Sequence, residues 1–471
     1  MAIYSSRIAR QNLARLARVL LKMTMNVIIL GGGIGGLVTA LSLHAVGIAC
    51  RVYESSAEIK PLGVGINVLP HSVRELTELG LQAKLDATGI RTQELVYATK
   101  RGEIIWREPR GTFAGYHWPQ FSIHRGELQM LLYETVIERL GRDAVVTGHR
   151  AVAVTQDGAR GERVSTSNAR AGVSKLGVDG GATAHFVDAS GAALPSASAD
   201  LVIAADGIHS AIRTQFFPNE GPPVWSRRIL WRGTTVAKPF LTGASMMLAG
   251  HAWKKWVCYP IRQLEDENGE QRQLINWIAE LTFDSTDLHA PQDWNRLGKL
   301  DDFMPDFEKW NFGWMHVGKM IRDAQAVYEY PMSDRNPAPT WVQGRCVLLG
   351  DAAHALYPIG SNGASQAILD ARKLAYELAT QPTIESALAA YEAERLPATS
   401  ELLELTRAEG PDAVMQRVEE RAPDGFDDLE KVLPLAEREA IAARYKLAAG
   451  FDMQTLNSKP SLSVAPIPVC S

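Results

Sequence analysis

Short, unbroken runs of apolar residues recur at three widely separated places in the chain. Asn26 to Leu30 (NVIIL) is the first run, and Leu201 to Ala205 (LVIAA) and Cys346 to Leu349 (CVLL) have the same character. Apolar runs of this length, rich in β-branched residues, are typical of strands buried on both faces of a parallel sheet. The three runs therefore predict one sheet that is assembled from separated segments of the chain.

The first run opens a strand–turn–helix–strand unit. A cluster of glycines at 31–36 follows it, residues 37–46 are rich in Leu, Ala and Val, and Ala49 to Tyr53 (ACRVY) form a second apolar strand. Parallel strands that are joined in this way take a right-handed crossover. The order of these elements predicts an α/β unit at the start of the fold.

In other stretches of the sequence the apolar residues have a different spacing. Apolar residues recur at helical spacing between Gly126 and Leu140, whereas residues 225–330, which hold most of the tryptophans, alternate between apolar and polar as antiparallel strands do. Residues 157–198 are rich in Gly, Ala and Ser, which predicts a long hairpin or excursion with no assigned function. The tail from residue 383 to about residue 450 is predicted to be helical. An antiparallel domain is therefore expected between segments of the parallel-sheet domain.

Composition and charge exclude several classes of function. The 471 residues are 46% hydrophobic and 22% charged, which is ordinary for a globular protein, and the net charge of −4 offers no overall basic surface for nucleic acid. The cysteines are scattered, with neither a CxxC pair nor a His/Cys cluster, so no metal site is expected. No stretch reaches the about 18 apolar residues that a membrane span needs.

The first 24 residues are basic and free of acidic residues, since the first carboxylate of the chain is Glu54. Two interpretations stay open for this segment. It is either a dispensable extension before the fold or a targeting or membrane-surface segment. We expect the extension and a cytoplasmic protein, with organelle targeting as the alternative.

The glycine cluster contains the pattern Gly31-x-Gly33-x-x-Gly36 between a strand and a helix. Gly31 allows the tight turn, Gly33 lets the backbone approach a pyrophosphate, and Gly36 lets the helix pack close to the sheet. Free N–H groups at the start of the helix attract phosphates, and Glu54 can accept hydrogen bonds from ribose hydroxyls at the end of the second strand. The combination predicts a dinucleotide site.

A second motif follows the run at 346–349. It begins Gly350-Asp351-Ala352-Ala353-His354 and continues as Pro358-x-Gly360-x-Asn362-Gly363-Ala364. An acid at a strand end can bind the sugar-alcohol chain of a second nucleotide half, and N–H groups at the start of a helix can face an anion that develops on a flavin ring. An aspartate that merely caps a helix would look the same locally. With the first motif more than 300 positions away, the flavin interpretation is favoured.

Three signatures occur in order: GGGIGG at 31–36, ADGIHSAIR at 205–213 and GDAAHALYPIGSNGASQA at 350–367. On these motifs the sequence resembles the group A FAD-dependent aromatic hydroxylases, which share the para-hydroxybenzoate hydroxylase fold. The resemblance extends from residue 25 to about residue 396. Within the family, the stretches at 61–70, 118–130 and 330–341 resemble the phenazine hydroxylase of pyocyanin biosynthesis. The N-terminal extension, the excursion at 157–198 and a longer C-terminal tail depart from the pattern.

The resemblance implies an α/β fold, in which a Rossmann-like FAD-binding domain carries an inserted antiparallel β-sheet substrate domain and a C-terminal helical segment. The boundaries expected on this basis are as follows: an extension at 1–24, the FAD-binding domain at 25–100, 125–213 and 341–382, the substrate domain at 101–124 and 214–340, and C-terminal helices and tail at 383–471.

The resemblance also implies roles for individual residues. The ADP half of FAD would be held near the glycine motif and Glu54, the ribityl and pyrophosphate region by Arg125 and Asp351, and the ring near Gly63 to Gly65. Asp206 and Gly207 belong to a motif that is associated with FAD and NAD(P)H, and Arg213, which closes it, is equally interpreted as a structural ion-pair partner. The full set of expected cofactor residues is Gly31, Gly33, Gly35, Gly36, Glu54, Gly65, Arg125, Asp206, Gly207, Asp351, Asn362, Gly363 and Ala364.

The chemistry that the resemblance implies is oxygen insertion into a small aromatic or N-heteroaromatic molecule. FAD is the cofactor, NAD(P)H and O2 are co-substrates, and a flavin C4a-hydroperoxide delivers the oxygen in a site that excludes water. Pro358, at the expected ring edge, and Tyr259 are the candidate catalytic residues. We expect a monomer or a homodimer.

Candidate substrate contacts lie among the aromatic and cationic residues of the antiparallel region. An aromatic residue on such a sheet is more often part of the core, and a single histidine is more often structural, so His251 and His354 are not assigned as bases. The candidates are Trp231, Arg232, Trp256, Tyr259, Trp277 and Tyr357.

Two other classes of function stay open on the sequence. A flavoprotein reductase or oxidase of the same fold would use the same cofactor motifs, but its product would carry no oxygen from O2. A binding protein of this fold without FAD is disfavoured because both cofactor motifs are retained.

Overall fold

A computed structural model describes residues 25–61, 63–156, 181–285, 296–408 and 410–464. The basic segment at 1–24 and residues 157–180 of the predicted excursion lie outside the described residues, so the expectations for them stay predictions.

The described residues form nineteen strands in four sheets. In chain order, β1 to β19 are Asn26–Leu30, Ala49–Tyr53, Gly65–Val68, Ile90–Arg91, Glu94–Ala98, Ile104–Pro109, Phe121–His124, Val145–Val146, Arg150–Gln156, Ala182–Val187, Ala193–Ala199, Leu201–Ala204, Val224–Ala237, Ser245–His251, Lys254–Glu265, Gln271–Thr282, Val327–Asp334, Val342–Gln343 and Cys346–Leu348.

The helices of the described residues account for most of the remaining regular structure. In chain order, α1 to α14 are Ile34–Ala45, Pro70–Glu78, Gln82–Thr88, Arg125–Leu140, Ala211–Phe216, Met304–Phe307, Val317–Arg322, Asp351–His354, Gly363–Thr380, Ile384–Arg407, Ala413–Arg421, Leu429–Val432, Leu435–Ala448 and Met453–Ser458.

The six-stranded sheet has the order β18-β19-β12-β1-β2-β8. Every pair in it is parallel except β18 with β19. The three apolar runs of the sequence therefore lie side by side in its centre, as predicted. Strands β1 and β12 are almost entirely buried, and helices α1 and α9 pack on each other against this sheet.

The seven-stranded sheet has the order β17-β13-β16-β15-β14-β5-β6, and only β14 with β5 is parallel among its pairs. Successive side chains along a strand point to opposite faces. One face packs on a cluster of large aromatic residues that includes Trp256, Trp277 and Phe303. The other face carries Leu230, Leu248 and neighbouring residues and faces the C-terminal helices.

The segment boundaries in the structure differ from those expected. Glu94–Ala98 is already a strand of the seven-stranded sheet, so the change between sheets falls before residue 94 and not at residue 100. Phe121–His124 belongs to a small separate sheet with β3 and β4. The strand at 182–187 pairs with β9 on one side and with the strand at 193–199 on the other, in agreement with a hairpin in the second part of the excursion.

The C-terminal helices return to the face of the seven-stranded sheet that α6 and α7 leave open. Helix α11 contacts β14, and Arg438 on α13 donates a hydrogen bond to the carbonyl of Ile105 on β6 (2.8 Å). This segment therefore closes one side of the space between the two large sheets. Among the described residues, no helix is both long and apolar enough to cross a membrane.

Candidate active site

A cavity of about 670 Å³ lies between the carboxyl ends of the parallel strands and one face of the seven-stranded sheet. Gly33 and Gly35 follow β1, Gly207 follows β12 and Asp351 follows β19, and all four line the cavity. Ligands of open α/β sheets bind in this position, outside the carboxyl ends of the strands. The volume is within the range of small-molecule sites.

The glycine loop has the geometry that the sequence predicted. A Cβ atom at Gly31, whose φ is +106°, would lie 2.3 Å from the carbonyl oxygen of Ala205, and one at Gly36 would lie 2.0 Å from the carbonyl oxygen of Gly31. At Gly33 no described atom lies within 4 Å of such a Cβ, which would project toward the cavity. Gly31 and Gly36 are therefore required by close packing, and Gly33 leaves the backbone open to a ligand.

Two helix N-termini converge on the cavity. Gly33, Ile34 and Gly35 at the start of α1 line one part of the wall, and Gly363 and Ala364 at the start of α9 line another. The first N–H groups of a helix have no partner within it, and its dipole favours negative charge there. The arrangement can stabilise an anionic group at each of the two positions.

Two of the predicted carboxylates lie beside the cavity and not in its wall. Glu54 Oε2 accepts a hydrogen bond from the N–H of Gly32 (2.6 Å), and its Oε1 accepts one from the N–H of Ser56 (2.7 Å). Asp206 Oδ2 accepts from the N–H of Ala211 (3.0 Å), whereas Oδ1 is buried with no hydrogen-bond partner among the described residues. Burial raises the pKa of Asp206.

Three charged side chains of the expected set face the cavity. Burial raises the pKa of Asp351, although His354 and Arg125 oppose the rise. Burial lowers the pKa of Arg125. The Asp351 carboxylate opposes this shift, whereas the positive charge of the nearby Arg232 adds to it. Arg125, Arg232 and Asp351 therefore form one electrostatic group on the nucleotide side of the cavity. Arg213 is instead structural, because its guanidinium binds Glu220 and the carbonyl of Ala353.

The loop at Gly63 to Gly65 is held by side chains of the seven-stranded sheet. The Gly65 carbonyl accepts from the Tyr259 hydroxyl (2.8 Å) and from Arg232 Nη2 (2.8 Å), and the Gly65 N–H donates to Asn276 Oδ1 (2.7 Å). A Cβ at Gly65 would lie 2.7 Å from Tyr259 and from Asn276. Tyr259 thus positions the loop. Asn276 was missed from the sequence, since a single polar residue on a strand carries no distinctive signal.

Trp231 and Trp256 do not line the cavity, and this placement does not support the expectation that they contact substrate. Both are at most 2% exposed and pack in the aromatic cluster on the opposite face of the sheet, where Trp256 stacks on Trp277 at 5.4 Å. The cause is the two-residue period of a strand, in which side chains an odd number of positions apart point to opposite faces. Trp231 is one position before Arg232, and Trp256 is three positions before Tyr259. Tyr357 is buried on the correct face but lies outside the cavity wall.

The remaining expected residues lie in the segment between α8 and α9. Pro358 lines the cavity and is exposed toward it. The Asn362 side chain is fully buried outside the cavity wall and donates to the Tyr445 hydroxyl (2.7 Å), which in turn donates to the Ile359 carbonyl (3.1 Å). Asn362 therefore joins this segment to α13. Tyr445 was missed from the sequence because it lies 83 positions further along the chain.

His354 has a structural role, as the sequence analysis favoured. Its Nε2 lies 2.5 Å from Asp370 Oδ2, and Asp370 also accepts from Arg395 Nε (2.7 Å) and from the N–H of Gly350 (3.1 Å). This buried network fixes the turn that presents Asp351 to the cavity. His251 is half-buried on β14 and does not line the cavity.

The glycine loop and the cavity are those of a dinucleotide-binding protein, and comparisons with known proteins give the family. The FAD binding domain family matches residues 24–222 and 321–406. Over 425 residues the chain is 41% identical to a phenazine 1,6-dicarboxylic acid hydroxylase of Lysobacter antibioticus, covering 89% of this chain and 96% of that protein. It is 28% identical to an FAD-dependent urate hydroxylase of Klebsiella pneumoniae, covering 80% and 88%.

Solved structures share the fold. Klebsiella pneumoniae HpxO with FAD and uric acid has a TM-score of 0.65 at 24% identity, covering 93% of this chain and 98% of that one. A salicylate hydroxylase substrate complex has a TM-score of 0.65 at 20% identity, covering 95% and 100%. The chain belongs to the FAD binding domain family, and within it to the group A flavin hydroxylases. It is an FAD-dependent monooxygenase that acts on an aromatic or heteroaromatic molecule with NAD(P)H as co-substrate.

The residues around the cavity fit FAD. The backbone at Gly33, Gly207 and Gly363 is open toward the cavity, because no described atom would contact a Cβ at any of these positions within 4 Å. The two helix N-termini suit a pyrophosphate and an anionic ring.

Proposed function

We propose that the enzyme hydroxylates a planar N-heteroaromatic carboxylic acid of the phenazine type. One oxygen atom of O2 replaces a ring hydrogen, the other leaves as water, and NAD(P)H with a proton supplies the two electrons and the hydrogen that balance the reaction. The observation that supports this substrate class most strongly is the chamber beyond the Gly65 loop. It combines an apolar wall with charged groups at both ends, and a phenazine acid hydroxylase is 41% identical to the chain.

The apolar wall comes from one face of the seven-stranded sheet. Leu230, Leu248, Val257 and Ile278 lie on adjacent strands and line the chamber side by side. Burial of aromatic surface against such a wall is favourable by about 25 cal/mol per Å². A flat ring system therefore gains most of its binding free energy here without a specific polar contact.

Cofactor roles follow from the same geometry. The glycine loop and the N-terminus of α1 hold the pyrophosphate, with Glu54 beside the adenosine half. Arg125 and Asp351 hold the ribityl region, and the start of α9 stabilises negative charge on the ring. When bound, FAD supplies the reduction of oxygen and its transfer to the substrate. Pro358 lies in the wall beside the start of α9, where it helps to exclude water from the reacting atoms.

Residues of the seven-stranded sheet orient the substrate and the cofactor relative to each other. Tyr259, Arg232 and Asn276 fix the Gly63 to Gly65 loop against the sheet, and the same sheet face carries the substrate. The substrate ring and the cofactor ring are thus positioned by one rigid surface, which is the requirement for a productive encounter geometry. No general base is assigned.

The division of the chain follows the two large sheets: the six-stranded sheet with its helices holds FAD, and the seven-stranded sheet holds the substrate. We further propose that the enzyme works in the cytoplasm, where NAD(P)H is supplied, as a monomer or a homodimer. The three described cysteines are all unpaired, which suits a reducing compartment.

The substrate class is tested with a panel of phenazine, quinoline, pyridine and benzoic acids. NAD(P)H oxidation, hydrogen peroxide release and product mass are measured for each acid. Phenazine acids are expected to give the fastest oxidation and a product heavier by one oxygen. Faster coupled turnover of a single-ring acid would contradict the proposal, and oxidation without any oxygenated product would favour a reductase or oxidase.

A further inference from the structure

The chamber has a second polar end, away from the Gly65 loop. On β15, Tyr259 bonds the loop and Lys255 lies four residues earlier on the same face; on β16, Asn276 bonds the loop and Glu280 lies four residues later. A strand rises 3.2–3.4 Å per residue, so the two ends are about 13 Å apart. Apolar residues, among them Val257 and Ile278, fill the wall between them.

Ion pairs crowd this remote end. Lys255 Nζ lies 2.7 Å from Asp412 Oδ2 and 3.1 Å from Glu280 Oε2, and Glu280 Oε1 lies 3.5 Å from a guanidinium nitrogen of Arg228. All four residues are buried or nearly so, and Lys255 and Asp412 join the sheet to the C-terminal segment. The two cations and two carboxylates balance each other.

A second group of charges lies on the edge strand β6, because the register of the sheet places Glu108 level with Leu95 and Met246 and not with Gly250 and Lys255. Arg110 Nη2 donates to Glu108 Oε2 (2.6 Å), and Lys446 on α13 pairs with the other oxygen of the same carboxylate. Burial would lower the pKa of Arg110, but the Glu108 carboxylate raises it above its usual value, so the guanidinium is charged. Two cations share this carboxylate, and Lys446 also lies close enough to the Asp452 carboxylate to interact with it.

Four buried polar atoms in these two groups and beside them have no hydrogen-bond or ion-pair partner among the described residues. They belong to side chains that line the cavity. Such an atom costs about 1–3 kcal/mol, and few are left in a native protein without a ligand or a water molecule. The atoms are Tyr97 Oη, Arg110 Nε, Gln120 Oε1 and Asp412 Oδ1.

We propose that the edge of the chamber formed by β5 and the end of β6 is a carboxylate subsite, in which Arg110 and Tyr97 bind a carboxylate of the aromatic substrate. The inference rests on the proposed substrate class and adds the residues that select the acid. The Arg110 Nε–H and the Tyr97 O–H donate, and the Gln120 amide can rotate to donate its NH2 group. Strand β6 is three strands away from β15 in the sheet, about 14 Å, so a carboxylate anchored here points the opposite edge of the ring system across the sheet toward the Gly65 loop.

The subsite is tested by titrating the FAD-loaded enzyme with phenazine-1-carboxylate and with its carboxamide, followed by the change in flavin absorbance. Arg110→Gln is expected to weaken binding of the acid by tenfold or more and that of the amide by less than about threefold, because only the acid carries the charge. Steady-state turnover of the acid should show a raised KM with a nearly unchanged kcat.

Tyr97→Phe keeps the experiment decisive if Arg110→Gln folds poorly. The Tyr97 hydroxyl has no partner among the described residues, so its removal should leave the thermal midpoint unchanged while it weakens binding of the acid by about threefold to tenfold. The control is Arg107→Gln on β6, three residues before Arg110; the Arg107 side chain is 47% exposed and pairs with Glu94, and the variant should bind both ligands as the wild type does.

Equal weakening of acid and amide, or no weakening of either, would overturn the subsite. Failure of the substrate class is a different result, namely that the wild type hydroxylates none of the phenazines. In that case the same titration with 1-naphthoate and 1-naphthamide decides the subsite, because the acid preference and its loss in both variants do not depend on turnover.

Discussion

Residue by residue, the position of a side chain along its strand decides whether it can reach the substrate. Arg232 and Tyr259 face the cavity, whereas their neighbours Trp231 and Cys258 face the aromatic cluster. Neighbouring residues of a strand cannot share a face, so Trp231 and Arg232 could not both have been substrate contacts. The same rule, applied to residues 256 and 259, would have excluded Trp256 once Tyr259 was accepted.

This division predicts different defects for two conservative variants. Trp256→Phe should lower the free energy of unfolding by about 1–3 kcal/mol through loss of core packing, and leave kcat/KM within about twofold. Tyr259→Phe should cost only about 0.5–1.5 kcal/mol but slow turnover, because the Gly65 carbonyl loses a hydrogen bond. Urea unfolding and steady-state kinetics measure both; a large KM effect of Trp256→Phe would contradict the assignment.

Asp351 is the carboxylate in the cavity wall that is best placed to bind the cofactor. Asp351→Ala should weaken FAD binding by about 1.5–3 kcal/mol through loss of a charge-assisted hydrogen bond. Flavin fluorescence during dialysis measures the loss. Asp301→Ala, at an exposed position, is the control and should retain FAD. An unchanged FAD content in Asp351→Ala would place the ribityl chain elsewhere.

At the scale of elements, short sequence patterns predicted those strands, helices and turns whose formation depends on neighbouring residues. The glycine loop, the strands β1, β12 and β19 and helix α4 were all indicated by runs and periods within a few residues. The two charged groups of the chamber were not, because Lys255 meets Asp412 and Glu108 meets Lys446 across more than 150 positions of sequence. Ordinary charged residues on strands carry no local sign of such partners, so only the fold brings them together.

The contact between α13 and the segment before α9 gives a test at this scale. Tyr445→Phe removes the hydrogen bonds to Asn362 and to the Ile359 carbonyl while it keeps the ring. The start of α9 should then be less well fixed, and more hydrogen peroxide should be released for each NAD(P)H oxidised, because water reaches the cofactor ring. Tyr133→Phe on α4, outside the cavity wall, is the control. Equal peroxide yields in both variants would contradict a role for the C-terminal helices in closing the chamber.

For the whole molecule, we propose that the shared sheet surface couples substrate binding to the cofactor. The side chains that hold the Gly65 loop stand on the seven-stranded sheet that lines the chamber, so we expect a bound substrate to change the position of the loop. We expect anaerobic flavin reduction by NAD(P)H to be slow in the free enzyme and at least tenfold faster with the true substrate, as followed by stopped-flow absorbance. Tight ligands that are not hydroxylated should also accelerate reduction but yield peroxide. Equal rates with and without ligand would argue against gating.

Isotope labelling tests most directly whether the enzyme transfers an oxygen atom from O2 to a planar heteroaromatic acid. The FAD-loaded enzyme is supplied with NAD(P)H and phenazine-1-carboxylate under ¹⁸O2 in ordinary water, and the product is examined by mass spectrometry. The predicted result is one ¹⁸O atom in the ring hydroxyl, and none when only the water is labelled. A product without ¹⁸O, or NAD(P)H oxidation that ends wholly in labelled hydrogen peroxide, would contradict the account.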